Sequence, residues 1–126
     1  MPDNILLDDL DIYILAMEIG EEVWKLVENW GYFQKGSVGK QFVTAADSIA
    51  SNIAEGYGRF FYKDRKLFYY FARGSLMETK TWALKSFKRK LIEGSEFDAL
   101  LIKLRALHFK LNIYIKKLKS QGSTNQ

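Results

Sequence analysis

The stretch SIASNIAEGYGR, residues 48–59, places polar side chains among small apolar residues and ends in Gly-Tyr-Gly-Arg. Asn52 and Glu55 are three residues apart, and Glu55 and Arg59 are four apart, so all three share one face of a helix. The two glycines favour the end of a helix followed by a turn. The stretch therefore predicts a polar face close to a helix C-terminus.

The rest of the chain shows apolar residues at helical spacing on both sides of this stretch. Glycine and polar clusters at 31–37, 56–64 and 93–95 interrupt the pattern, and the only proline is Pro2. Four helical segments with short connections predict an all-α fold, an antiparallel up-down-up-down four-helix bundle. We assign the bundle domain to residues 1–119 and expect the polar tail 120–126 to be disordered.

The apolar stripes predict which residues face the core. Ser37 and Ser95 are expected to be the N-caps of the second and fourth helices. The third segment, from about residue 64 to residue 91, is expected to bury one stripe: Leu67, Tyr70, Phe71, Gly74, Met77, Leu84, Phe87 and Leu91.

The first and fourth segments carry more apolar residues than one buried face requires. The additional residues are Tyr13, Ile14, Met17 and Trp24 in the first segment, and Ile102, Ala106, Phe109 and Ile113 in the fourth. Because a bundle buries one face of each helix, this surplus predicts self-association. A small-molecule groove is the alternative.

The charge is divided between the two halves of the chain. Residues 1–62 hold ten acids and four Lys/Arg, whereas residues 63–126 hold five acids and fifteen Lys/Arg. Such a division indicates either attraction between the two halves or a surface for an acidic partner. The chain has no cysteine, no signal-like N-terminus and no apolar run of membrane-spanning length, so we expect a soluble cytoplasmic protein without a membrane partner.

A hairpin of the second and third helices would place Asn52 level with Ala72 and Arg73. Small residues, among them Gly74, would then allow the two backbones to approach closely. We predict a structural polar network across this pair of helices: Ser48, Asn52, Glu55, Arg59, Arg73, Ser75 and Glu78. The alternatives are that these residues bind a ligand or RNA, or that Glu55 and Glu78 form a hydrolytic carboxylate pair.

SIASNIAEGYGR, followed by FYYFARGSLMET at residues 68–79, resembles the 23S rRNA-intervening-sequence protein family, also called the four helix bundle protein family. The resemblance implies a bacterial protein that forms an antiparallel four-helix bundle and a homopentamer, with no established biochemical function. A related bundle serves as the accessory protein of diversity-generating retroelements and binds a reverse transcriptase and nucleic acid.

Catalytic and cofactor patterns do not match this sequence, so we predict no enzyme activity, no metal and no cofactor. Gly56 and Gly58 do not continue into a dinucleotide fingerprint, because Phe61 occupies the position of the third glycine and a helix comes first. His108 is the only histidine, which excludes a ferritin-like di-iron site. Small helical ribonucleases need an arginine where Lys103 stands.

Basic residues supply the candidate binding surface. The candidate nucleic-acid-binding residues are Lys85, Lys88, Arg89, Lys90, Lys103, Arg105, Lys110, Lys116, Lys117 and Lys119. The aromatic residues Phe60, Phe61, Tyr62 and Tyr69 are expected to be exposed, where they could stack on bases or pack at subunit contacts. We predict a homo-oligomeric scaffold that binds RNA or DNA backbone. The alternative is a protein-binding adaptor for a nucleic-acid enzyme such as a reverse transcriptase.

Overall fold

A computed structural model of the protein describes residues 6–125, with side chains described for residues 6–120. A 3-10 turn, Leu7–Asp9, leads into α1, Asp11–Val27. The second helix, α2, runs over residues 32–57 and consists of an α-turn Tyr32–Gln34, a π-helical turn Lys35–Gly39 and an α-helix Lys40–Tyr57. The last two helices are α3, Tyr62–Lys88, and α4, Gly94–Asn125. The predicted domain limit at 119 and the disordered tail stay predictions.

Each helix packs against the next one in the chain, and α4 closes the bundle by packing against α1. Short connections force successive helices to run in opposite directions. The predicted all-α four-helix bundle is confirmed.

The start of α2 differs from the prediction. Ser37 is not an N-cap, because it lies inside the π-helical turn and its hydroxyl donates to the Phe33 carbonyl at 2.6 Å. Gly39 lies in this turn, where α2 packs closely against α1. A Cβ at this position would lie 2.7 Å from Cγ1 of Val27, so only glycine allows α1 and α2 to approach so closely.

The junction of α3 and α4 also differs from the prediction. Ser95 lies within the first turn of α4 rather than at its cap. The carboxylate of Glu96 instead accepts a hydrogen bond from the backbone N–H of Glu93 at 2.8 Å. Lys90 ends α3 in a left-handed conformation, with a φ of 63°. The Leu91 N–H then bonds to the Ser86 carbonyl, which is the pattern of a Schellman motif.

Helix α3 turns a different face inward from the one its large apolar residues predict. Its buried residues are Tyr69, Ala72, Leu76, Thr79, Ala83 and Ser86. The predicted core stripe lies outside: Leu67, Phe71, Met77, Leu84 and Phe87 are each between 41% and 48% exposed. Thr79 and Ser86 are fully buried at no cost in hydrogen bonding, because their hydroxyls donate to the carbonyls of Ser75 and Trp82 at 2.8 and 2.7 Å.

The close contact between α2 and α3 is at Gly56 and not at Gly74. A Cβ on Gly56 would lie 2.9 Å from the ring of Tyr69 and 3.0 Å from Cβ of Phe68. Gly74 is exposed, and a Cβ there would meet nothing within 4 Å. Small inward residues on α3 let it approach α2 closely, and this packing sends the larger apolar residues to the outer surface.

Candidate nucleic-acid interface

The predicted polar network across α2 and α3 reduces to one weak link between the helices. The Asn52 amide donates to the Ser48 carbonyl at 2.9 Å and reaches the Ser75 hydroxyl at 3.5 Å. Asn52 is therefore level with Ser75, about three residues further along α3 than the sequence predicted. Ser48 itself donates to the carbonyl of Thr44, within its own helix.

The charged residues of that predicted network do not join it. Glu55 and Arg59 form an ion pair on the exposed surface of α2. Glu78 is exposed as well, so Glu55 and Glu78 form no buried carboxylate pair. Arg73 turns away from both acids and donates to the Asn112 side chain of α4 at 2.8 Å. The arginine expected between α2 and α3 thus lies on the seam between α3 and α4.

The ten predicted nucleic-acid-binding residues fall into separate groups. Four of them, Lys85 and Lys88 to Lys90, lie at the α3–α4 turn, and all four are exposed. Lys116, Lys117 and Lys119 lie at the opposite end of the bundle, while the exposed Arg105 stands between the two groups. Ion pairs with α1 neutralise the remaining two residues. These pairs are Lys103 with Glu22 at 2.7 Å and Lys110 with Asp11 at 3.3 Å.

The densest positive region combines the first half of α3 with the end of α4. We name residues 62–73 of α3 and 110–120 of α4 the basic end. These two segments hold eight Lys/Arg residues and one acid, Asp64, and one of the eight, Lys110, is paired with Asp11 of α1. Their alignment follows from two contacts between the helices, Arg73 with Asn112 and Lys119 with the ring of Tyr70. Antiparallel packing therefore brings together the positive charges of two segments that are about 40 residues apart in the sequence.

Aromatic rings lie among these cations. Arg65 lies 5.8 Å from the ring centroids of both Tyr57 and Tyr62, and Lys117 lies 6.0 Å from that of Tyr114. At the tip of the basic end, Phe60 and Phe61 are 86% and 63% exposed. The expected exposure of Tyr69 is wrong, because its ring is fully buried beside Gly56.

Tyr70 shows the effect of this positive charge. A hydrogen bond with Lys119 lowers the pKa of the Tyr70 phenol, and the charges of Lys119, Lys66 and Arg73 lower it further. Tyr114, on the other side of α4, shows the opposite effect. Burial raises the pKa of Tyr114 to about 12, and so does its hydrogen bond to Asp11, whose Oδ1 accepts at 3.0 Å.

A shallow groove lies between α1 and α4. It has a volume of about 620 Å³ and is lined by acids together with Tyr13, Ile14 and Met17. Among the described residues, no group of three or more His, Cys, Asp or Glu side chains could hold a metal ion. In the same part of the chain, no helix is long and apolar enough to cross a membrane.

The model of the 23S rRNA-intervening sequence protein family matches residues 8–113. The chain belongs to this family. The match covers all of α1, α2 and α3 and the part of α4 up to Ile113, and the family resemblance of the two sequence motifs is confirmed.

A solved structure gives the same fold. It is the crystal structure of a protein of unknown function from the S23 ribosomal protein family of Bacteroides thetaiotaomicron. Its TM-score is 0.75 at 17% identity, and the alignment covers 83% of this chain and 98% of that one. No curated protein matches the chain. The family assignment and this structure establish the bundle and give no biochemical activity.

Sequence reasoning did not find the joint contribution of Tyr70 and Arg73 to the basic end. The two residues lie three apart on α3 and so share a helix face. That spacing was a usable signal. The sequence interpretation placed both residues towards the inside of the bundle, Tyr70 in the core stripe and Arg73 in the polar network.

Proposed function

We propose that this family member is a non-enzymatic scaffold that assembles with copies of itself and binds the phosphate backbone of RNA or DNA. The observation that carries the proposal is the basic end, where α3 and α4 bring together eight Lys/Arg residues and one acid, with Lys110 of the eight paired to Asp11 of α1. Nucleic-acid backbones attract such surfaces without regard to base sequence, because each phosphate carries a negative charge. We place this activity in the bacterial cytoplasm, where RNA and DNA are present.

Exposed aromatic and basic side chains occur together at the basic end. Phe60 and Phe61 project beside Lys63, which is also exposed. Aromatic rings within a positive surface favour single-stranded nucleic acid, whose unpaired bases can stack on them. The same chemistry supports binding to structured RNA with loops.

Self-assembly is proposed from two apolar faces on different sides of the bundle. One face lies on α3 and includes Leu67, Phe71 and Met77. The other, which we name the α1–α4 face, includes Trp24 of α1 with Ile102 and Phe109 of α4, and these are 54%, 67% and 70% exposed. Isolated exposed apolar residues need no explanation, but two stripes along whole helices favour protein contacts.

Charge complementarity favours pairing of these two faces between copies. The α3 face is bordered by the exposed Lys63, Lys85 and Lys88. The α1–α4 face is bordered by the exposed Glu18 and Glu21. Contacts between two different faces build rings or open filaments, rather than two-fold dimers. We propose a ring, and the family resemblance implies five subunits.

Binding to labelled structured RNA and duplex DNA across a salt series tests the nucleic-acid proposal. We expect log K to fall with log salt, by about 0.9 per phosphate contact for duplex DNA. Reversing two charges with Lys116→Glu and Lys117→Glu should flatten this dependence. Absence of binding at the lowest salt concentration would overturn the proposal and favour the adaptor function.

Light scattering after size-exclusion chromatography tests the assembly. The exposed Phe71 lies at the centre of the α3 face, so Phe71→Glu should reduce the measured mass towards that of one subunit. The matched control is Phe33→Glu, which changes an aromatic ring that is 76% exposed at the opposite end of the bundle. A monomeric wild-type protein would contradict the assembly.

The adaptor function has one specific observation in its favour. Tyr32 and Phe33, at the start of α2, are 98% and 76% exposed and lie at the end of the bundle opposite the basic end. An exposed aromatic pair of this kind suits the contact surface of a protein partner. This second candidate predicts that Phe33→Glu abolishes capture of a nucleic-acid enzyme while nucleic-acid binding is unchanged.

A further inference from the structure

We infer that Lys66, Arg73 and Lys119, grouped around Tyr70 on the α3–α4 seam, form a binding site for the phosphate groups of a nucleic-acid backbone. We name these four residues the Tyr70 cluster. The inference rests on the proposed nucleic-acid binding and locates it on one seam of the bundle.

The ring of Tyr70 holds two of the cations in place. The guanidinium carbon of Arg73 lies 4.9 Å from the ring centroid, and Nζ of Lys119 lies 5.8 Å from it. One cation comes from α3 and the other from α4. Cation–π contacts of this kind orient a positive group while leaving it charged.

Arg73 is fixed further by its hydrogen bond to Asn112. Since a guanidinium has five N–H donors and Asn112 takes one, donors remain for the oxygens of a phosphate. The partner is a neutral amide, so this contact leaves the positive charge of Arg73 uncompensated. Pre-organised arginine is well suited to phosphate because its planar donors match two phosphate oxygens.

The cluster differs in its surroundings from the cations of the bundle that form ion pairs. Arg59, Lys103 and Lys110 each pair with a carboxylate. Among the described residues, neither Lys66 nor Arg73 has an ion pair. The neighbouring acids in the sequence are Asp64 and Glu78, and α4 has no acid after Asp98.

The pKa of the Tyr70 phenol is lowered, which is consistent with a positive environment around its ring. An environment that favours a phenolate also favours another anion at the same place. A nucleobase is less suitable there, because Arg73 and Lys119 already cover the ring on which it would stack. The site therefore suits phosphate oxygens, and bases are left to the exposed aromatic rings nearby.

A comparison of two matched neutralising variants in the salt-series binding assay tests the site. Arg73→Gln removes a cation from the Tyr70 cluster. Lys40→Gln removes an exposed cation of α2 that lies towards the end of the bundle opposite the basic end and belongs to none of the proposed binding surfaces. The probe is a labelled duplex DNA at low salt, and the melting temperature of each variant shows whether it is folded.

We expect Arg73→Gln to weaken binding on the order of tenfold and to reduce the salt slope by about 0.9. Lys40→Gln should stay within about twofold of the wild type, since its cation lies far from the site. Lys66→Gln should repeat the Arg73→Gln result, and it decides the question if Arg73→Gln does not fold.

Equal losses from Arg73→Gln and Lys40→Gln, or no loss from either, would overturn the inference and leave backbone binding in place. If the wild-type protein does not bind at low salt, the proposed function itself fails. The two failures are therefore distinguishable in one experiment.

Discussion

Helix α4 packs against α1 on one side and against α3 on the other, and its positive charges have different surroundings on these two sides. On the α1 side, Lys103 and Lys110 meet the carboxylates of Glu22 and Asp11. On the α3 side, Lys119 lies near Arg73 and Lys66, around the ring of Tyr70. The acidic first half of the chain thus neutralises one side of α4, while the basic first half of α3 increases the charge on the other.

Two tyrosines show what this difference means chemically. The Tyr114 hydroxyl donates a hydrogen bond to Asp11, and the pKa of Tyr114 is raised. The pKa of Tyr70, in contrast, is lowered by its contacts with cations. The same side chain is therefore held as a neutral donor on one seam and is pushed towards the anion on the other. An overall charge of +4 hides this division between the two sides of α4.

The largest effect on stability is expected at Gly56, where α2 contacts the buried Tyr69 ring of α3. Gly56→Ala would place a methyl group against the buried ring of Tyr69, and we expect a loss of about 2 kcal/mol in the free energy of unfolding. Urea denaturation followed by circular dichroism measures it. Since Tyr69 sets the rotation of α3, this variant should also weaken nucleic-acid binding.

Gly74→Ala is the matched control on the outer face of α3. An added methyl group there meets nothing within 4 Å, so we expect a gain of about 1 kcal/mol from helix propensity alone. If Gly56→Ala were as stable as Gly74→Ala, the described packing of α2 against α3 would be wrong.

Removing the hydroxyl of a tyrosine should have opposite consequences at Tyr114 and Tyr69. Tyr114→Phe loses the hydrogen bond to Asp11, and we expect a loss of about 1 kcal/mol in the free energy of unfolding. The buried hydroxyl of Tyr69 has no hydrogen-bond partner among the described residues. Tyr69→Phe should therefore leave stability unchanged or raise it by up to about 1 kcal/mol.

Chemical denaturation of the two variants in parallel measures this difference. A marked loss of stability in Tyr69→Phe would show that its hydroxyl has a partner, and would remove the contrast between the two positions.

The smallest change in stability is expected at alkaline pH, where Tyr70 and Tyr114 should ionise at different pH values. Because the folded state raises the pKa of Tyr114 to about 12, its contribution is complete below about pH 10 and is lost as the pH rises towards 12. Tyr70 has the opposite sign, since its lowered pKa adds stability above about pH 10 that is lost as the pH falls through its folded pKa.

The absorbance of tyrosinate against pH measures both groups. Tyr70→Phe should remove the component that ionises at the lowest pH, and Tyr114→Phe should remove one that ionises near pH 12. Identical titration curves for the two variants would contradict the proposed difference between the seams.

Much of the bundle follows from local patterns in the sequence. The period of apolar residues gave the four helices, and it gave the surplus apolar stripes on α1 and α4, where Trp24 and Phe109 are exposed as expected. The glycine and polar clusters located the last two connections, whereas α2 begins at Tyr32, inside the first cluster. The paired motifs gave the family. These features depend on residues close together in the chain, so the sequence alone determines them.

The rotation of α3 could not be read from its own sequence. Its large apolar residues form one helical stripe and its small residues another, so hydrophobic period alone favours burying the larger stripe. The tertiary structure instead buries the stripe that contains the small residues. The Tyr69 ring of this stripe packs against Gly56 on α2, and close packing of the two helices needs small residues. That choice puts Arg73 beside Asn112 instead of beside the acids of α2. The sequence thus determined the helices and their charges, and only the packing of helices distant in the chain decided which charges are neutralised and which gather on one seam.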